Sequence, residues 1–365
     1  MFEYRAMTPL RIAVLPGDGI GPEITAATLA ILGRLNEALG LGLRFEEHAI
    51  GLASLERAGS TFPQDVQEAC RASDGIVIGP VSHLDYPSRE QGGRNPSGEL
   101  RVALDLYANI RPARTREGMQ HWGRTPMDLV IVRENTEGFY SDRNMFQGVG
   151  EFMPTPDLAL SVRKISAHAS RRIAKAAFEL ARSRRRKVTA VHKRNVLQVT
   201  EGLFLREVRG VAPAYPDVAL EEQLVDSMAA LLVREGARYD VVVTTNMFGD
   251  ILSDEAAELS GSIGLAASIN AGDGHCMAQA QHGSAPELAG RDLANPASLV
   301  LSAGMLLGWL ARRHGRVRLA AAERAIEAGV DALVRDPATR TRDLGGTLGT
   351  RAWTEALLAR IGKPA

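Results

Sequence analysis

Short aliphatic runs alternate with helix-period stretches along nearly the whole chain, and this alternation limits the fold more than any other feature. Arg11–Leu15 reads as a strand, Gly21–Leu39 as a helix, Leu43–His48 as a strand and Gly75–Ile78 as another. Leu129–Arg133, Val188–His192 and Asp240–Thr245 repeat the pattern, each beside a helical segment. Strands separated by helices lie parallel and are covered on both faces, so the chain is expected to be α/β with a substantially parallel sheet. At 365 residues it exceeds one simple core and is expected to form two lobes. No repeat or flexible linker divides it, so it is expected to cross between lobes more than once through ordered structure.

Charge and cysteine usage narrow the class. Lys plus Arg equals Asp plus Glu, 43 each, so no net field draws the molecule to nucleic acid. The one basic run, Arg182–Lys187, follows helical Arg171–Ala181 and reads as a solvated helix end that suits the helix dipole. Cys70 and Cys276 are far apart and match no metal spacing, as expected of reduced thiols in a cytoplasmic protein. Met1–Arg5 has no apolar signal region. Ala297–Leu310 is shorter than the roughly 20 residues of a membrane span and is expected to be a buried helix.

Val14-Leu15-Pro16-Gly17-Asp18-Gly19-Ile20-Gly21-Pro22-Glu23 joins a strand to a helix and invites a dinucleotide-binding reading, with Glu46 or Glu47 at the ribose-acid distance. The spacing G-x-G-x-G and Pro22, placed where a backbone N–H would face the pyrophosphate, argue against it. Proline opens helices well, and the segment reads instead as a tight turn lining a cleft.

Three arginines suit an anionic ligand. Arg111 precedes Pro112, so its backbone is extended. Arg133 ends an apolar strand, where a cation is costly unless it meets an anion. With Arg101, these guanidinium forks suit a di- or tricarboxylate. Internal pairing with Glu134 or Asp105 is the alternative. Lys193 can serve as a base. Asp226, in an apolar segment, and Asp250 and Asp254, at i and i+4 after a strand, can hold a divalent ion. A base and such acids are what oxidation and decarboxylation of a hydroxy acid require; a capping role for Asp226 and a packing role for Tyr140 are the plainer alternatives.

Six motifs then occur in one order: Gly17–Glu23, Asp105–Pro112, Arg133–Tyr140, His192–Leu197, Thr245–Asp254 and His282–Glu287. Together they resemble the β-decarboxylating dehydrogenases that act on isocitrate, homoisocitrate, isopropylmalate and tartrate or D-malate. The resemblance runs from about residue 10 to about residue 355 and takes in Asp343–Thr347.

The resemblance implies a two-lobed isopropylmalate-dehydrogenase-like fold with a largely parallel central sheet, not a Rossmann fold. Residues 1–106 and 261–365 would form the large cofactor-binding lobe; 107–260 would form the smaller lobe, with the metal site and dimer interface. It implies a homodimer in which Lys193 and Asp226 reach the partner's active site. Arg101, Arg111 and Arg133 would hold the substrate carboxylates, helped by Asn195. Asp226, Asp250 and Asp254 would hold Mg²⁺ or Mn²⁺, with Tyr140 and Lys193 as the acid–base pair. His282, Gly283, Ser284, Ala285, Pro286 and Glu287 would form the adenosine loop, and Asn295 would contact adenine. Glu287 after the proline favours NAD, since an acid repels a 2′-phosphate. The chain departs from the family in having Gln279-Ala280-Gln281 where Glu-Pro-Val is common.

Substrate choice is read from Gln91–Leu100. It lacks the leucines that isopropylmalate enzymes use, and it carries Asn95 and Ser97, the isocitrate pair in exchanged order. Gly98 stands where homoisocitrate enzymes often have an extra arginine, and Arg94 is the candidate replacement. An isocitrate- or homoisocitrate-like substrate is expected, with isopropylmalate and tartrate or D-malate as alternatives. The segment Asp142–Thr155 fits none of the subfamilies. A non-catalytic regulatory subunit is the reading from another class, opposed by the retention of Tyr140, Lys193 and all three acids.

Overall fold

The apolar runs become the sheet interior. In the computed structural model, which describes residues 8–140 and 145–361, the first strands are β1 (Leu10–Leu15), β2 (Leu43–Glu47), β3 (Gly75–Ile78), β4 (Ala108–Arg114) and β5 (Asp128–Glu134). Then follow β6 (Glu151–Thr155), β7 (Leu158–Ser161), β8 (Lys187–His192), β9 (Ala219–Leu224), β10 (Val241–Thr244), β11 (Ile269–Ala271) and β12 (Cys276–Gln279). The helices begin with α1 (Gly21–Leu39), α2 (Gly51–Ala58), α3 (Gln64–Arg71), α4 (Pro96–Ala103) and α5 (Ala167–Arg182). They continue with α6 (Thr200–Val211), α7 (Val225–Glu235), α8 (Asn246–Ser260), α9 (Ala297–His314), α10 (Val317–Arg335) and α11 (Thr350–Leu358).

Among the described residues, ten strands make one sheet in the order β2-β1-β3-β12-β11-β4-β5-β10-β8-β9. The β2-β1-β3-β12 set is parallel, as is β5-β10-β8-β9. The two sets run in opposite senses because every contact along β12-β11-β4-β5 is antiparallel. The chain passes from the first set to the second after β3 and returns through β11 and β12.

Strand alternation sorts the core into layers. Ile12 and Val14 pack in the layer that holds α1, α9, α10 and α11, whereas Ala13 and Leu15 face α3 and α4. In the second set, Val130 and Val132 face α5 and α6, while Leu129 and Ile131 face α7 and α8. A sheet covered on both faces needs apolar residues at consecutive positions, which is why the strands read as unbroken runs.

Two expectations change, and a third segment gains a structure. Asp240 and Thr245 fall outside β10, because the buried Asp240 carboxylate is held by Arg184 Nε and the Arg185 N–H, both at 2.8 Å, and Thr245 is the N-cap residue of α8. The basic run is ion-paired rather than simply solvated: Arg182 meets Asp217, Arg184 meets Asp128 and Asp240, and Lys187 meets Glu221. In the segment 142–155, residues 142–144 lie outside the described residues, and its end forms β6 of an exposed hairpin with β7. The two cysteines are free and buried. Ala297–Leu310 lies within the largely buried α9, and no helix of the described residues is long and apolar enough to cross a membrane.

Candidate active site

Strand parity brings two of the arginines together. Arg133 follows Leu129 and Ile131 on the α8 side of β5 and pairs with Asn109 of β4, so Arg111, two residues on, faces the same way. On α8, Asn246, Asp250, Ser253 and Asp254 share a face at i, i+4, i+7 and i+8. The two faces meet. Arg133 donates to Asn246 Oδ1 at 2.8 Å and to the Tyr140 hydroxyl at 2.6 Å, and it contacts Asp250. Arg111 donates to Asp250 at 3.1 Å, to Ser253 at 2.8 Å and to Asp254 at 3.2 Å. Tyr140 donates to Asp250 Oδ2 at 2.7 Å.

Arg111, Arg133, Tyr140 and Asp250 line a cavity of about 700 Å³ with Arg101 and Gln279. Internal pairing is therefore real, but the partner acids are Asp250 and Asp254. Asp105 pairs with Arg172 instead, and Glu134 accepts from Thr136 and from the Glu137 N–H.

Burial sets the charge states. It pushes the Arg111 guanidinium down to about 10, helped by Arg133 and opposed by the acids. Burial would raise the Asp250 carboxyl, but Arg133 and Arg111 outweigh it and hold it below the usual range. Burial also raises the Tyr140 phenol, offset in part by Arg133 and reinforced by Asp250. Tyr140 is thus a protonated donor at neutral pH. Three guanidiniums at one site make it suited to an anion.

Gly249 makes the approach of α8 possible. A Cβ there would lie 2.7 Å from Arg133 Cβ and Cγ. Gly249→Ala is expected to displace Arg133, lower kcat/KM by about tenfold or more and cost about 1–3 kcal/mol of stability. Unchanged kinetics and melting temperature would show that Arg133 has room to move.

The opposite wall comes from α4 and β12. Asn95 caps α4 by accepting from the Gly98 N–H at 3.1 Å. Ser97 Oγ and Arg101 Nη2 both donate to Gln279 Oε1, each at 3.0 Å. Arg94 does not supply an extra cation to the cleft: its guanidinium makes a two-point contact with Glu99, with Nε at 2.8 Å from Oε1.

The loop His282–Glu287 edges this cavity and rests on the glycine turn. Ile20 N–H donates to Ser284 O at 2.8 Å, and the Ser82 and Ser284 hydroxyls are 2.8 Å apart. Gly19 is required, since it has φ +58° and a Cβ would sit 2.0 Å from Ser284 O. The turn therefore supports the loop, and Asp18 ties it down by accepting from the Leu52 and Ser82 N–H groups. Glu287 is exposed. Asn295 accepts from the Ala297 N–H and donates to Asp343.

Lys193, Asp226 and Asn195 are not brought into the cleft. Lys193 Nζ lies 2.6 Å from Asp226 Oδ1 in a partly exposed pair, Asn195 is exposed, and none of the three lines the cavity. Within one chain, then, Asp226 does not join Asp250 and Asp254; no cluster of three or more His, Cys, Asp or Glu able to hold a metal occurs among the described residues. Asp226 lies in the first turn of α7, whereas Asp250 and Asp254, at the i and i+4 spacing read from the sequence, share α8.

The sequence reading missed Asn246, Ser253, Gln279 and Gln281 as site residues. The first two were discoverable from the helical face they share with Asp250. Gln281 donates to Asp254 at 2.8 Å across the cleft.

Fold and cleft define an α/β protein with an arginine-lined anion site beside a carboxylate pair. The chain belongs to the isocitrate/isopropylmalate dehydrogenase family, whose model matches residues 11–358. It is 41% identical over 353 residues to an isocitrate/homoisocitrate dehydrogenase of Thermus thermophilus, covering 96% of this chain and 98% of the relative. It is 38% identical over 365 residues to a 3-isopropylmalate dehydrogenase of Deinococcus radiodurans, with coverages of 96% and 98%. The crystal structure of an isocitrate dehydrogenase from Methylococcus capsulatus matches with a TM-score of 0.84 at 36% identity, covering 98% of this chain and 100% of that one. The chain is thus a decarboxylating hydroxy-acid dehydrogenase by family, and this family uses a nicotinamide dinucleotide with Mg²⁺ or Mn²⁺.

Proposed function

We propose that the protein oxidises and decarboxylates a malate whose C3 substituent carries a carboxylate, as in isocitrate or homoisocitrate, using NAD and Mg²⁺ or Mn²⁺. The observation that carries this reading is one cleft lined by Arg101, Arg111, Arg133, Tyr140 and Asp250, with Asp254 bonded to Arg111 beside it. The polar wall of Asn95, Ser97 and Gln279 supports an acidic substituent over an alkyl one.

The residues fit both cofactors. Asp250 and Asp254, one turn apart on the cleft face of α8, offer hard oxygens to a divalent ion, now satisfied by arginines. Asp226 of the partner subunit would complete the set. The exposed Glu287 would accept from ribose hydroxyls. When bound, the ion supplies a Lewis acid at the hydroxyl and carbonyl oxygen, and NAD supplies the hydride acceptor.

Each side chain then has a distinct task. Arg101, Arg111 and Arg133 hold the substrate carboxylates and fix its orientation. Lys193 of the partner subunit accepts the C2 hydroxyl proton as the hydride leaves C2. The 2-keto acid loses CO₂ from its β-carboxylate, and Tyr140 delivers a proton to C3 of the resulting enolate.

A homodimer explains why Lys193 and Asp226 stand outside their own cleft. Exposed apolar residues support it: Phe152, Met153, Leu158 and Leu160 on the β6–β7 hairpin, and Met247 and Ile251 on α8. An isolated two-stranded hairpin is marginal alone and gains from a partner. On this reading, residues 1–106 with 261–365, and 107–260, are the two lobes, and the buried reduced cysteines suit a cytoplasmic enzyme.

Initial rates of NADH formation with a panel of malates test the assignment. Turnover is expected to be fastest with 3-carboxyalkyl malates and slower with 3-alkyl malates, tartrate and D-malate, and NAD is expected to outperform NADP. Preference for the isopropyl compound would overturn the substrate assignment, and inactivity with the whole panel would point to a regulatory subunit.

A further inference from the structure

Gln279 is the last residue of β12, and its backbone is pinned on both sides. Its N–H donates to Ser268 O at 3.1 Å and its carbonyl accepts from Ser302 Oγ at 3.0 Å. The side chain therefore enters the cleft from a rigid strand end.

Hydrogen-bond chemistry fixes which way its amide points. The Arg101 guanidinium can only donate, so the Gln279 atom 3.0 Å from Nη2 must be the carbonyl Oε1. A second argument runs through three asparagines. Asn135 Nδ2 donates to Leu106 O at 3.0 Å and Asn109 Nδ2 donates to Ile269 O at 3.1 Å, and backbone carbonyls can only accept. Both Nδ2 atoms also reach Asn270 Oδ1, at 2.9 and 3.2 Å. Asn270 Nδ2 is thereby turned toward Gln279 Oε1, at 3.4 Å. Guanidinium, amide and the Ser97 hydroxyl all converge on one oxygen of a side chain that lines the cleft, and among the described residues no hydrogen bond takes up Nε2. The Asn95 amide is fixed as well, because its Oδ1 accepts from the Gly98 N–H, and Asn95 also lines the cleft. Alongside Pro80 and Val81, this part of the cleft lining presents Asn95, Ser97, Arg101 and Gln279, a polar set that suits a carboxylate.

We propose that Gln279 is a specificity residue that touches the substrate: Oε1 holds Arg101 and Ser97, while Nε2 donates to a carboxylate on the C3 substituent. The inference rests on the proposed function and adds the residue that reads the substituent. A glutamate at this position would place negative charge beside Arg101 and against the incoming carboxylate. The neutral amide offers a donor instead.

The test compares wild type with Gln279→Glu, using a 3-carboxyalkyl malate and a 3-alkyl malate of similar length. The ratio of kcat/KM for the acid-bearing over the alkyl substrate is expected to fall about tenfold or more, chiefly through KM, because one charge-assisted hydrogen bond is replaced by repulsion. A purely structural role would depress both substrates alike, and that result, or an unchanged ratio, overturns the proposal. Gln279→Met, matched in size and without polar atoms, replaces the glutamate variant if that fails to fold, with the same expected direction. If wild type turns over no malate, the proposed function fails, and calorimetry with the same two compounds and Mg²⁺ decides separately. Tighter binding of the acid-bearing compound, lost in Gln279→Glu, supports the contact; equal affinities in wild type overturn it.

Discussion

Mixing Lys193→Met with Tyr140→Phe subunits, each inactive alone, is expected to restore roughly a quarter of wild-type activity, given a two-fold dimer with shared sites. In a mixed dimer one site combines an intact Tyr140, Asp250 and Asp254 with an intact Lys193 of the partner subunit, and the other site carries both lesions. Random exchange makes about half the dimers mixed, and half of their sites are whole. Loss of either acid–base group alone costs about 10²–10⁴-fold, so the recovery stands far above either background. The Lys193–Asp226 pair outside its own cleft is the observation behind this expectation. Verified subunit exchange with no recovery would place the base within the same chain.

Metal removal is expected to have an effect of similar size. Without a divalent ion, Asp250 and Asp254 remain paired with Arg111, and Asp250 with Arg133, so the acids occupy the guanidiniums that the substrate needs. An ion and an anionic substrate entering together exchange these pairs for new ones at little net charge cost. EDTA is expected to lower turnover by at least about a hundredfold, since a Lewis acid at the developing oxyanion contributes several kcal/mol. Mg²⁺ or Mn²⁺ is expected to restore it. Full activity in metal-free buffer would remove the assignment of Asp250 and Asp254.

The parts legible in the sequence are those governed by local pattern. Gly21–Leu39 and Gly75–Ile78 have the expected ends because Pro22 opens the helix, Gly40 closes it in a left-handed turn, and β3 is an unbroken apolar run. The motif order was equally readable, since it depends on spacing alone. What escaped depends on distant segments meeting. The three-residue β11 is too short to show a period, yet it helps reverse the sheet between the two parallel sets. The acid partners of Arg111 and Arg133 come from α8, which approaches β5 only because Gly249 lacks a side chain. Arg94 is spent on Glu99, five residues away, in a contact made across the start of α4. The orientation of Gln279 requires α4, β11 and β12 together.

The most direct test of the central claim follows CO₂ alongside NADH in the malate panel. Purified protein with NAD, Mg²⁺ and a 3-carboxyalkyl malate is expected to form NADH and CO₂ in equal amounts, with loss of both products in Tyr140→Phe and Lys193→Met. NADH without CO₂, or neither product from any malate, would contradict an oxidative decarboxylase.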